Sequence, residues 1–226
     1  MTGTRAWLLV FCVVACEPIV AQAPGAQKPP ASLSMGGTKS VTRFFVTSRG
    51  IGRGGNLGGL DGADAHCQAL AAAEGSGDHT WRAYLSTSAT ERSPAVNARD
   101  RIGRGPWYDA LGDRIATDIA DLHSRNNKID AENALTERGD PVGARRHDIL
   151  TGSRPDGTAF PTGGGDRTCA NWTSSGAGYA QVGHSDRKRR EPHADSWNSA
   201  HRSRGCGQRD LQATGGAGLF YCFAAD

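Results

Sequence analysis

The sequence predicts an α+β domain: a mainly antiparallel sheet, one or two helices and a long glycine-rich loop region. Three observations carry this. The segment from Ala63 to Glu74 is rich in alanine, whereas the other apolar runs are short, β-branched and aromatic. Glycine occurs 31 times with no collagen-like period, which points to many tight turns, because glycine accepts positive φ at little steric cost. Four cysteines, Cys67, Cys169, Cys206 and Cys222, lie in the body of the chain, enough for two bridges.

The N-terminus reads as a targeting segment, residues 1–23. Arg5 is a short basic region, and Ala6 to Ala15 is an apolar run too short to span a bilayer as a helix. Two exits are written in it. Ala21-Gln22-Ala23 is a small-x-small cleavage site, while Val13-Val14-Ala15-Cys16 is similar to a bacterial lipobox in which Cys16 carries lipid. Either exit delivers the domain to the cell exterior or envelope, as a secreted protein or an outer-membrane lipoprotein, where disulfides persist. Residues 24–42 are rich in Pro, Gly and Ser and hold too little apolar surface to offset ordering entropy; they read as a tether.

The domain proper spans 43–226. Arg43 to Ser48 is β-branched and aromatic, hence a strand. Gly50 to Gly59 is a turn region. In the following helix, Asp61 is placed as cap and Asp64 in the first turn, where negative charge suits the helix dipole. Cys67 and Leu70 share one face, and Gly75 ends the helix. In Thr80 to Ser86, Trp81, Ala83 and Leu85 alternate against Arg82 and Tyr84, a half-buried strand. Residues 89–146 resist assignment; Trp107-Tyr108 with Leu111, Ile115 and Ile119 reads as a short strand and helical turn, or as a loop with buried anchors. Pro155-Asp156-Gly157 predicts a tight reversal after Asp148 to Ser153. Cys169 to Thr173 is expected to be a strand, Gly176 to Gly205 a long polar excursion, and Leu219 to Phe223 the closing strand.

Four cysteines allow three connectivities, and composition does not choose among them. A Cys67–Cys222 bridge would tie the first helix to the last strand, and a Cys169–Cys206 bridge would close the long loop. Chain-entropy arguments give such bridges roughly 5 and roughly 4 kcal/mol.

At these residues the chain resembles the C-type-lectin-like fold, and within it the endostatin branch. The resemblance rests on Ala63 to Ala69, Thr80 to Ser86, His147 to Ser153, Pro155-Asp156-Gly157 and Thr168 to Trp172. Ser196 to His201 and Gly215 to Cys222 resemble uncharacterised bacterial extracellular proteins of the same fold. It implies the nested pairing, Cys67 with Cys222 and Cys169 with Cys206, and a contact face in the loop between the second pair.

Calcium-dependent lectins of this fold use a Glu-Pro-Asn or Gln-Pro-Asp triplet and a Trp-Asn-Asp triplet. This chain has Glu191-Pro192-His193 and Trp197-Asn198-Ser199, each departing at the third residue. Loss of a carboxylate weakens a calcium site, so no cofactor is expected and calcium is disfavoured. His184, Asp186, His193, Asp195 and His201 offer zinc-type donors, with Glu191, His193 and Asp195 the weak metal candidates, but their spacing matches no tight motif and a solvated polar loop is expected. Arg187-Lys188-Arg189-Arg190 is the densest charge cluster, suited to a sulfated or phosphorylated polysaccharide. With Trp197, Asn198 and His201 it makes up the candidate ligand-binding loop.

A net charge of +3 gives no case for a nucleic-acid partner, and no nucleophile elbow, zinc-protease motif or phosphate loop is present. The function expected is non-catalytic extracellular recognition of a carbohydrate, a polyanionic glycan or a surface protein. The alternative is a structural or adhesive surface protein making protein–protein contacts.

Overall fold

The computed structural model describes residues 39–187 and 196–226, with Met1 and Gly3 besides; the leader and most of the tether fall outside the described residues. Eight strands occur in chain order among them: β1 Phe44–Val46, β2 Trp81–Ala83, β3 Trp107–Tyr108, β4 Arg114–Ala116, β5 Asp148–Leu150, β6 Gln181–His184, β7 His201–Arg202 and β8 Gly216–Ala224. β3 and β4 form a small hairpin. The others form one sheet of order β1-β8-β5-β6-β7, with β2 also on β8. Only the β5–β8 pairing is parallel. The architecture is thus α+β with a mostly antiparallel sheet.

β8 is the axis. β1 pairs along one edge, and β5 and then β2 pair along the other. Its side chains alternate between two cores, as period two requires. Phe220 and Cys222 enter a cluster with Phe45, Trp81, Trp172 and Leu70. Leu219, Tyr221 and Phe223 enter a second with Phe44, Tyr84, Trp107 and Trp197. A strand covered on both faces needs a near-continuous apolar run, and Leu219 to Phe223 supplies one.

The long helix, α1, runs Gly59–Ala73 and covers the first cluster. It starts four residues before the expected point, because Gly58 adopts a left-handed cap at φ 79° and accepts Gly62 N–H. Asp61 lies in the first turn, as its charge favours, but is not the cap. Gly75, at φ 79°, follows the C-terminus as expected. Asp64 serves a different purpose from the one expected of it. It is buried, accepts Ala83 N–H at 2.9 Å, and pairs with Arg82 at 2.8 Å and Arg101 at 2.7 Å. The charge orders the β2 backbone rather than the helix dipole. Cys67, one turn on, is bonded to Cys222 of β8.

Of the two readings of the stretch from Trp107, the structure shows the short strand and helical turn, and an expected polar excursion also holds structure. Within 89–146 lie the β3–β4 hairpin and a helical turn, Ile119–Leu122, capped by Asp118. The polar excursion 176–205 contains β6 and β7, so it extends the main sheet. Tyr84, expected on the open face, is fully buried in the second cluster.

Cys169–Trp172 is not a strand. It is one left-handed helical turn, with φ of 50°, 54°, 54° and 67° at four successive residues, none of them glycine. Such a turn costs about 1–2 kcal/mol per residue. Several constraints outweigh that cost. Cys169 is bonded to Cys206. Trp172 is buried and its indole N–H donates to Ser86 O at 2.8 Å. The Asp166 carboxylate accepts Thr168 N–H at 2.8 Å and Ala170 N–H at 2.5 Å. The Asn171 amide exchanges two hydrogen bonds with the Ser88 backbone. Gly55 packs beneath the turn, where a Cβ would lie 2.7 Å from Cys169 Sγ.

The handedness gives a sign test. Ala170 and Ala65 are both exposed, one in the left-handed turn and one in α1. Ala170→Gly is expected to raise the unfolding free energy by about 0.5 kcal/mol, relief of strain exceeding the gain in unfolded-chain entropy. Ala65→Gly should lower it by about 1 kcal/mol. Urea denaturation of both variants measures the two signs.

Candidate functional site

The Cys169–Cys206 bridge closes the stretch expected to carry recognition. The structure divides the candidate residues there. Lys188, Arg189, Arg190, Glu191, His193 and Asp195 lie outside the described residues. Arg187, Trp197 and Asn198 are buried, and His201 is on the surface at 41% side-chain exposure.

Arg187 turns inward. Its guanidinium donates from Nε to Ile129 O at 2.6 Å, and from Nη2 to Asn127 O and Oδ1, each at 2.5 Å. These bonds tie the start of the basic run to the 127–129 segment, so this arginine serves as an anchor rather than as an open anion contact.

Trp197 stands among Tyr84, Tyr221 and His123, at ring-centroid distances of 4.8, 5.3 and 5.7 Å. Asn198 donates to Tyr84 Oη at 2.9 Å, Arg154 O at 3.1 Å and Pro155 O at 3.2 Å, and its Oδ1 accepts from Ser196 Oγ at 2.9 Å. Its backbone carbonyl accepts from Thr151 Oγ1 at 2.6 Å. The Trp-Asn-Ser segment therefore locks the loop onto the Pro-Asp-Gly turn, and the Asn198 amide is hydrogen-bonded within the protein. Gly183 of β6 leaves room for this backbone; a Cβ there would overlap Trp197 O.

Sequence reasoning missed the partner that completes this network. His123 Nδ1 lies 2.8 Å from Ile119 O, so it carries the proton, and Nε2 accepts from Tyr84 Oη at 2.7 Å. Burial pushes the His123 imidazole below its ordinary value and the Tyr84 hydroxyl above its own. Both groups are held neutral, as a buried hydrogen-bonded pair should be.

A second cluster lies where β5, β6 and β7 meet. Asp148, with its side chain 1% exposed, has Oδ1 at 3.2 Å from His147 Nε2, 3.4 Å from His184 Nε2 and 3.4 Å from His201 Nε2. The strand register creates it. Asp148 pairs directly with His184, and His201 pairs with Val182, two residues before His184 and on the same face. Burial pushes the Asp148 carboxyl up, but His184 and His201 beside it override this and hold it well below the carboxylate range. Contact with Asp148 in turn draws the His201 imidazole upwards. In the sequence His184 and His201 stand among the zinc-type donors of the loop, whereas His147 and Asp148 carry no metal signal of their own.

Next to Arg187 lies a polar cleft of about 750 Å³, lined by Asp113, Lys128, Asp130, Glu132, Asn133 and Asp186. Among the aromatics that could stack on a sugar ring, Trp107 and Trp172 are fully buried and so closed to a ligand, and Tyr179 lies under the Arg202 guanidinium at 4.5 Å. No helix among the described residues is long and apolar enough to cross a membrane. No protein-family model matches the chain, and no curated protein is significantly similar to it.

Asn198→Ala strips Tyr84 Oη and two carbonyls of a buried partner and is expected to cost about 2 kcal/mol in denaturant unfolding. Millimolar calcium should leave the melting temperature of the unaltered protein where it was.

Proposed function

We propose that the chain is a C-type-lectin-like domain of the endostatin branch that works outside the cell as a non-catalytic recognition module. Its ligand is a glycan or a surface protein, taken at the loop between Cys169 and Cys206. The fold reading is supported by the bridge from α1 to the last strand, and by the second bridge closing the loop. Export is supported by the leader sequence and by two disulfides, which persist in oxidising compartments.

One observation carries the functional reading. The residues bordering 188–195 are committed to the scaffold: Arg187 through its carbonyl bonds on one side, Trp197 and Asn198 through the core on the other. Lys188, Arg189 and Arg190 follow Arg187 in sequence, a run of three bases between the two anchored positions of the chain. Anchored ends reduce the ordering entropy that a contact loop must lose on binding. Three adjacent bases favour a sulfated or phosphorylated glycan through charge-assisted hydrogen bonds.

Heparin chromatography of the triple variant Lys188→Ala/Arg189→Ala/Arg190→Ala tests the polyanion reading. Elution at clearly lower salt is expected; an unchanged elution salt removes the cluster from the function. A glycan array addresses the wider proposal. Selective binding supports a lectin, and a blank array together with capture of a defined envelope protein supports the adhesive alternative.

A further inference from the structure

We propose that His147, Asp148, His184 and His201 form a zinc site that clips the two ends of the 185–200 segment to β5. The site goes beyond recognition by the loop and stands or falls separately from it.

The proton inventory points to a missing cation. His147 Nδ1 lies 2.6 Å from Ala144 O, and His201 Nδ1 lies 3.0 Å from Arg202 O. A carbonyl only accepts, so each Nδ1 carries the proton, and in the neutral ring each Nε2 is left with a lone pair. Both lone pairs face the same carboxylate oxygen, at 3.2 and 3.4 Å. Lone pair against anion is repulsive, and more so where water is largely excluded. No hydrogen bond of good geometry reaches either buried oxygen of Asp148, although His184, His201 and Thr214 stand close enough to favour its charged form. The contacts are also longer than the 2.7–2.9 Å of a charge-assisted hydrogen bond. Either a proton or a metal ion must lie between these groups.

The distances favour the metal. Zinc bonds of about 2.0–2.1 Å in a tetrahedron place neighbouring donor atoms about 3.3 Å apart. Asp148 Oδ1 stands 3.2, 3.4 and 3.4 Å from three imidazole nitrogens. The donor atoms of His147, Asp148 and His184 all lie within 4.8 Å of one another and form the compact part of the site; His201 stands outside that set and reaches it through its 3.4 Å approach to Asp148 Oδ1. The His184 ring centroid is 4.9 Å from that of His147 and 5.0 Å from that of His201. Three imidazoles and one carboxylate suit zinc and its transition-metal neighbours, whereas calcium asks for six to eight oxygens.

The surroundings are those a metal site needs. Carbonyls of Ala144 and Arg202 fix the tautomers of two ligands, and the Asp186 carboxylate stands 3.5 Å from His147 Nδ1. Gly215, at φ 98°, leaves the space beside His147; a Cβ there would lie 3.1 Å from Nε2. His201 and His147 are partly exposed, at 41% and 28%, which gives an ion a way in. His184 precedes the 185–200 segment and His201 follows it, so a bound ion joins both ends to Asp148.

The test uses tag-free mature protein, stripped with chelator and titrated with ZnCl₂. One zinc per chain is expected, with a melting temperature that rises on zinc and not on calcium. His201→Gln alters a partly exposed side chain and should weaken zinc binding at least tenfold, a loss read from the titration of folded protein and so separate from any change in metal-free stability. Asp148→Asn should weaken it similarly. Cobalt in place of zinc should give the visible absorption of a tetrahedral ion, lost in both variants. Absence of stoichiometric zinc with an unmoved melting temperature would overturn the site, and so would His201→Gln and Asp148→Asn variants that bind as tightly as the unaltered protein.

Discussion

The structure depends on one strand being buried on both of its faces. β8 gives Phe220 and Cys222 to the core under α1 and Leu219, Tyr221 and Phe223 to the core beyond the sheet. Its backbone is paired on both edges as well, by β1 on one and by β5 and β2 on the other. Every other part of the fold is placed relative to this strand. The Cys67–Cys222 bridge then makes the arrangement covalent, fastening the helix to it. With a hydrophobic fraction of only 37%, so large a share of the apolar residues gathered round one strand leaves the periphery to be held by other means.

Those other means are polar and covalent. The Asp64 ion pairs fix the start of the sheet, and the Asn198–Tyr84–His123 network fixes the loop to the turn at Pro155. The Cys169–Cys206 bridge holds a left-handed turn that would not persist alone. Buried polar groups of this kind are costly unless fully partnered. That cost explains why Arg187 and Asn198, which look like contact residues in a charged loop, are spent on internal carbonyls. It also makes Asp148 stand out, a buried carboxylate among three imidazoles with no hydrogen bond of good geometry.

Much of the fold was legible because its signals are local. Alanine-rich Ala63 to Glu74, glycine at 75, alternation around Trp81 and Ala83, and the apolar run at Leu219 to Phe223 each declare their state within a few residues. The rest was set from far away. Gln181-Val182-Gly183-His184 has one large apolar residue, and it is a strand because β5 offers an edge. Cys169-Ala170-Asn171-Trp172 contains no glycine, and its handedness comes from Asp166, Ser88 and Cys206. Arg187 is buried by carbonyls some sixty residues earlier. The three histidines meet only through strand register, so no spacing motif announces them.

The central claim is that two nested bridges fix the ends of this domain and the root of its loop. Peptide mapping under non-reducing conditions tests it most directly. The account predicts linked peptides containing Cys67 with Cys222 and Cys169 with Cys206, and no free thiol among the four. A Cys67–Cys169 peptide, or thiols open to alkylation in the purified protein, would contradict both the architecture and the recognition face proposed on it.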